Sequence, residues 1–228
     1  MSSVTYTVEE VLQEVSDLKG ETETNTDANR IRFVSKAENN FATRKFWLIH
    51  LRRNVETTGD GSSVDFEIGS TTYPMRKNGL AELFVGGLTE DKRYQVVDFL
   101  KYQNLVNRDQ SAKLAYEWYD QANDKWKVHL SQVVDNGTTI YYSYFYLPPK
   151  RTATSDTVIC YDMDYIVNMT AAYVYQSEED PEMASSYKNT AEQTMSDMEG
   201  LEVSPAHNQL KTMGAYQSQI NDRGVGSY

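Results

Sequence analysis

The sequence predicts an α+β chain: a four-helix bundle interrupted by an inserted antiparallel β-sandwich or barrel-like domain, with an extended C-terminal tail. Three observations predict it. Apolar residues recur at helical spacing before Phe41 and after Asp162, they alternate between Leu48 and Leu147, and Pro148-Pro149 closes the alternating region. Short amphipathic helices cannot bury their stripes alone, so the first and last parts of the chain are expected to share one core, with the ends of the insertion close together. The expected domains are residues 1–47 with 150–200, residues 48–149, and the tail 201–228.

Thr7 and Glu10 form a T-x-x-E capping box, and Val8, Val11, Leu12, Val15 and Leu18 follow on one helical stripe until Gly20 stops it. Asp27 caps a second helix that carries Ile31, Val34, Ala37, Glu38 and Phe41 along one side and gives way to extended chain within Phe41 to Trp47. In the β-region, Val64, Phe66 and Ile68 oppose Asp65 and Glu67. Leu114, Tyr116 and Trp118 alternate likewise, and the turn Gln121 to Lys125 leads into Trp126, Val128 and Leu130 as a hairpin. Asn136-Gly137 is expected to fold the strand Ile140 to Tyr146 back on its predecessor, completing a three-stranded meander. Val96 to Leu100 reads equally as a helical turn or a strand. After a linker from Lys150 to Thr157, Asp162 or Asp164 caps a helix with Ile166, Met169 and Tyr173 on one stripe and Ala171-Ala172 for close packing. Asp180-Pro181 opens the last strong helix, with Ala184, Tyr187, Ala191, Met195 and Met198 inward and Gly200 as its terminator. The tail from Leu201 is rich in Gly, Ser, Gln and Asn, with room for one short helix near Ala206 to Met213.

Of the 228 residues, 39% are hydrophobic, enough for one sizeable core or two small ones. Lys and Arg total 22 against 33 Asp and Glu, and the resulting charge of −11 weighs against gripping nucleic acid. One cysteine, Cys160, and three scattered histidines exclude disulfide scaffolds and zinc modules. No apolar run is long enough to cross a bilayer and the first residues lack a signal-peptide pattern, so the expectation is a cytosolic product without membrane contact. The 17 tyrosines beside a mean hydropathy of −0.63 hint at assembly surfaces, although strands also favour tyrosine.

Chemistry finds little footing. His50, His129 and His207 are isolated and no G-x-S-x-G elbow occurs, while Cys160 reads as a small buried residue. Gly59-Asp60-Gly61 and Gly86-Gly87 lack phosphate-loop contexts and read as turns. Asp162-Met163-Asp164 is a D-x-D pair, but a helix cap accounts for it, and Glu178-Glu179-Asp180 with Glu182 reads as a helix start and a solvated corner. Asn136 and Asn168 begin glycosylation tripeptides that are chance matches without secretion. Tyr116, Trp118, Tyr119, Trp126, Tyr141, Tyr142, Tyr144 and Tyr146 could stack on sugar rings, or form sheet core and cross-strand pairs, the commoner use. No enzyme, cofactor or metal is expected.

The order of elements resembles the head-to-tail connector (adaptor) proteins of tailed bacteriophages, from about Thr5 to Leu201. The resemblance rests on Tyr6-Thr7-Val8-Glu9-Glu10-Val11, Asn29-Arg30-Ile31-Arg32-Phe33-Val34 and Arg44-Lys45-Phe46-Trp47. It continues through Gly69 to Pro74, Tyr141 to Pro148, Ala171-Ala172-Tyr173 and Tyr187 to Glu192. Tyr73-Pro74-Met75 stands where Tyr-x-Leu-Pro is the usual pattern. The resemblance implies a structural virion protein at the head–tail interface, assembled in the host cytoplasm. It further implies a homo-oligomeric ring, twelvefold, beneath the portal and above a tail or nozzle protein, with DNA passing through the lumen without specific binding. An acidic lumen wall would repel a moving polyanion. Leu210, Met213, Tyr216 and Ile220 in the tail are the candidate contacts to the portal or to a neighbouring subunit. Another tail component, such as a tail-completion or baseplate protein, accounts for most of the same features, and a carbohydrate-binding host-attachment module would use the aromatic strands directly.

Overall fold

The computed structural model describes residues 4–70 and 72–201, and the chain divides into two compact units, 1–37 with 151–228, and 38–150. In chain order the elements are β1 (Val4–Thr7), α1 (Val8–Lys19), α2 (Ala28–Arg44), β2 (Leu51–Thr58), β3 (Asp65–Ile68), β4 (Met75–Val85) and β5 (Gln95–Val96). They continue with α3 (Phe99–Arg108), β6 (Leu114–Asp120), β7 (Lys125–Leu130), β8 (Thr139–Tyr146), β9 (Thr157–Cys160), α4 (Met163–Ser177) and α5 (Pro181–Leu201). The architecture of the described residues is α+β, with five α-helices and three small sheets.

In the first unit the helix ends carry the side chains that the sequence places there. The Glu10 N–H donates to Thr7 Oγ1 at 3.2 Å and the Thr7 N–H to Glu10 Oε2 at 2.7 Å, closing the capping box. The N–H groups of Val8 and Glu9 donate to the carbonyls of Asp156 (2.9 Å) and Thr154 (3.0 Å), so the first turn of α1 has its donors satisfied by a segment distant in sequence. Gly20, at φ +70°, ends α1 in the left-handed region. Asp27 accepts from the N–H groups of Asn29 and Arg30, Asp162 from Asp164, and Asp180 from Met183, which settles Asp162 as the cap of α4. Helix α4 is buried over most of its circumference and packs on α1 and α5, with Tyr175 stacked on Tyr187 at 5.4 Å between centroids. From α2, Phe33 lies 6.1 Å from the Tyr173 ring and the Lys36 ammonium 3.8 Å above it.

The segment Thr157 to Cys160, expected to be linker and helix approach, is instead the strand β9. It pairs antiparallel with β1 in the register Val4↔Cys160 to Thr7↔Thr157. Cys160 is fully buried there. Two terminal expectations are corrected. Leu18 is 45% exposed, because the inward stripe of α1 ends at Val15 and Ser16. Helix α5 runs through Gly200 to Leu201, since nothing at Gly200 forces a left-handed stop.

The second unit places a three-stranded sheet, order β2-β8-β4, against a four-stranded one, order β3-β7-β6-β5, and neither closes into a barrel. Their facing sides share a core that includes Leu83, Val128, Leu130, Ile140, Tyr142 and Tyr144. The hairpin β6–β7 forms as the sequence predicts, with Asp120 opposite Lys125. The meander does not. Strand β8 leaves β7 and lies between β2 and β4 in the other sheet. The reason sits in the connecting turn. Gly137, at φ +80°, donates its N–H to the carbonyl of Gly59 (3.0 Å), and the Gly59 N–H donates to Thr138 (2.9 Å), so the turn docks on the end of β2. A Cβ on Gly59 would stand 2.6 Å from Val134 Cγ1, and the approach is open to glycine alone.

Val96 to Leu100 resolves into both readings: β5 ends at Val96, and Asp98 caps α3 by accepting the Lys101 N–H at 2.9 Å. This fifth helix covers the outer face of the four-stranded sheet, where Phe99 and Tyr102 meet Tyr116 edge-on at 5.2 and 4.7 Å. Tyr116 and Trp118 therefore face away from the shared core, and Ala115 and Glu117 share the face of Leu130 and Val128. The Glu117 carboxylate crosses to the other sheet and accepts from the N–H groups of Asn78 and Leu80, holding the irregularity in β4. Burial pushes its pKa up against those hydrogen bonds.

The end of α2 in this unit is capped from β4. The Arg76 guanidinium donates to the carbonyls of Ala42 (2.9 Å), Thr43 (2.7 Å) and Lys45 (2.6 Å), and it lies 4.2 Å from the Phe46 ring centroid. Arg76→Ala is expected to cost about 2 kcal/mol in urea denaturation, and Arg76→Lys to recover less than half of it, because an ammonium cannot reproduce the planar fork.

Candidate interaction surfaces

Charge is divided between the two units in a way that the composition conceals. Residues 38–150 hold 14 acidic and 14 basic side chains, whereas 1–37 with 151–228 hold 19 acidic and 8 basic, so the whole charge of −11 belongs to the helical unit. Residues 202–228 contribute two of each sign. The described part of that unit therefore carries the excess, most of it in the segments that connect and cap the helices.

Part of that excess is organised. A groove of about 430 Å³ between α1 and α4 is lined by Glu14, Asp17, Leu18, Asp164, Val167 and Asn168. The amphipathic pattern of α1 explains it: Val11 and Val15 turn inward, leaving Glu14, Asp17 and Leu18 at the edge that meets the first turns of α4. Asp164 stands there as the acidic first-turn residue of α4, where the helix dipole favours it. Burial, followed by the nearby Asp164, Asp17 and Glu10, pushes the Glu14 carboxyl above its ordinary pKa. Among the described residues no cation lies within ion-pair distance of Glu14, Asp17 or Asp164.

Two other carboxylates of the unit, Glu21 and Glu178, are paired with cations. Arg30 binds Glu21 through both guanidinium nitrogens at 2.6 Å, and Lys19 bridges Glu21 (3.1 Å) and Glu178. The Arg30 guanidinium holds Glu21 down to a pKa of about 2. The expected acidic corner at Glu178 is thus anchored by cations from the first part of the chain.

The aromatic residues do not form a flat exposed platform. Tyr142, Tyr144 and Tyr146 are buried, Tyr116 is covered by α3, and the Trp118 indole donates to Asp65 at 3.0 Å. Tyr119, the exposed member, is tilted 55° against Trp126. These are core and cross-strand contacts, which removes the basis for stacking on sugar rings. Leu210, Met213, Tyr216 and Ile220, and the short helix expected near Ala206 to Met213, lie outside the described residues. Among the described residues no helix is long and apolar enough to cross a membrane.

The charge division was open to sequence reasoning, because counting acids and bases by segment exposes it. The groove was not: it depends on α1 meeting α4 across about 150 residues of chain, and Leu18 reads as core by spacing alone.

A family model described as SU10 adaptor protein matches residues 6–213. No curated protein matches the chain.

Proposed function

Because the chain belongs to the SU10 adaptor protein family of phage head–tail adaptors, we propose that it forms an oligomeric ring, twelvefold, joining the portal to the tail while DNA passes through its lumen. The adaptor family is structural, so no catalysis is implied, and binding to other virion components follows from membership. The observation that carries the finer reading is the charge division. A ring that passes a polyanion needs a wall that repels it, and the helical unit holds all of the net negative charge. In this reading α1, α2, α4 and α5 form a four-helix bundle that supplies the lumen wall, and the charge-balanced β-unit, 38–150, meets protein neighbours. Leu210, Met213, Tyr216 and Ile220 anchor each subunit to the portal or to its neighbour.

Native mass spectrometry of the chain with and without the cognate portal tests the reading. A ring, alone or on the portal, is the expected result, and a monomer that ignores the portal would overturn it. Removal of residues 206–228 is expected to abolish attachment; retained attachment would remove the tail from the proposal.

A further inference from the structure

The acidic groove has a counterpart on the same unit. Helix α2 has one acid, Glu38, which is buried, and its outward positions include Arg32 and Lys36, one turn apart. Among the described residues neither has a carboxylate within ion-pair distance, and Lys36 rests on the Tyr173 ring. Helix α1 is the reverse. Its single base, Lys19, is engaged by Glu21 and Glu178, and its outward positions include Glu9, Glu10 and Asp17. Leu18, 45% exposed, lines the groove together with the carboxylates.

We propose that the groove of α1 and α4 receives the outward face of α2 from a second copy of the chain, with Arg32 and Lys36 meeting Glu14, Asp17 and Asp164 around Leu18. This rests on the ring reading above and names its subunit contact. The two faces are different patches, so the contact is head to tail, and a head-to-tail contact repeated with rotation closes a ring. A second copy fits better than the chain's own residues 202–228, which carry two acids and two bases and so lack the required excess of positive charge. Burying two cations against three carboxylates also relieves the repulsion among Glu14, Asp17 and Asp164.

Charge exchange tests the proposal on the full chain. In Glu14→Lys/Asp17→Lys the groove becomes basic and opposes the basic α2 of the next copy; in Arg32→Glu/Lys36→Glu both faces are acidic. Each variant alone is expected to associate at least about tenfold more weakly than the parent in sedimentation velocity, with unchanged circular dichroism. Mixed in equal amounts they are expected to regain association, because alternating copies restore opposite charge at every contact. The assemblies should exceed a dimer and weaken with salt. Parent-like association of either variant alone, a mixture no stronger than its parts, a dimer as the largest species, or a parent chain that does not self-associate would each overturn this contact. A ring that still forms on the portal in those cases would leave the ring reading standing.

Discussion

Trp47→Ala is expected to lower the stability of the inserted unit by about 3–5 kcal/mol, read as a shift of the urea midpoint followed by circular dichroism. The indole has no exposed surface and stacks on Phe41 at 4.6 Å with 10° between planes. Its Nε1 donates to the Phe41 carbonyl at 2.6 Å, one of the acceptors that the last turn of α2 leaves without an intrahelical partner. The neighbouring carbonyls of Ala42 and Thr43 belong to Arg76, so Trp47 and Arg76 together close the helix end. Trp47→Phe separates the two contributions. It keeps a stacked ring and loses the donor, and the expected cost falls to about 1–2 kcal/mol, that of a buried acceptor left unpaired.

The second large effect lies in the helical unit. Arg30→Ala is expected to cost about 3 kcal/mol, because the side chain is nearly buried and its removal leaves Glu21 without its bidentate partner. The same variant alters the response to acid. Glu21 is held near a pKa of about 2, below its ordinary 4.5, so its contribution is present above pH 4.5 and is lost as pH falls toward 2. After allowance for solvent screening, the parent is expected to lose about 1–2 kcal/mol more than Arg30→Ala across that window, measured as unfolding free energy against pH. Equal acid sensitivity in the two proteins would remove the ion pair from the account.

Local chemistry was legible in the sequence and long-range pairing was not. The capping box at Thr7, the caps at Asp27 and Asp180 and the buried stripe from Ile31 to Phe41 all lie within a few residues of their causes, and the structure contains them. The β6–β7 hairpin is local as well. Strand β8 shows where reading fails. Asn136-Gly137 is a good turn signal, but the partner of the strand after it is decided by a glycine at position 59 that lets the turn dock elsewhere. Helix α3 was obscured because Leu100 is 70% exposed and breaks the helical stripe. Strands β1 and β9, four residues each, are too short to announce themselves, and each supplies the other with a partner. The acidic groove followed the same division: the unit's acidic excess could be counted from the sequence, while the groove needed α1 and α4 side by side.

The pairing of β1 with β9 also sets an order of events during synthesis. The helical unit recruits residues from both sides of the insertion, and α1 has its first amides satisfied only when Thr154 and Asp156 arrive. Residues 38–150 leave the ribosome as an uninterrupted stretch before residue 151 does, and can fold while their host is still half made. The host must then close across a separation of some 150 residues, an entropic delay that local helix formation cannot shorten. A nascent chain that has not reached α4 has no groove to offer a neighbour. Under the contact proposed above, the chain becomes competent to associate only once α4 has been made.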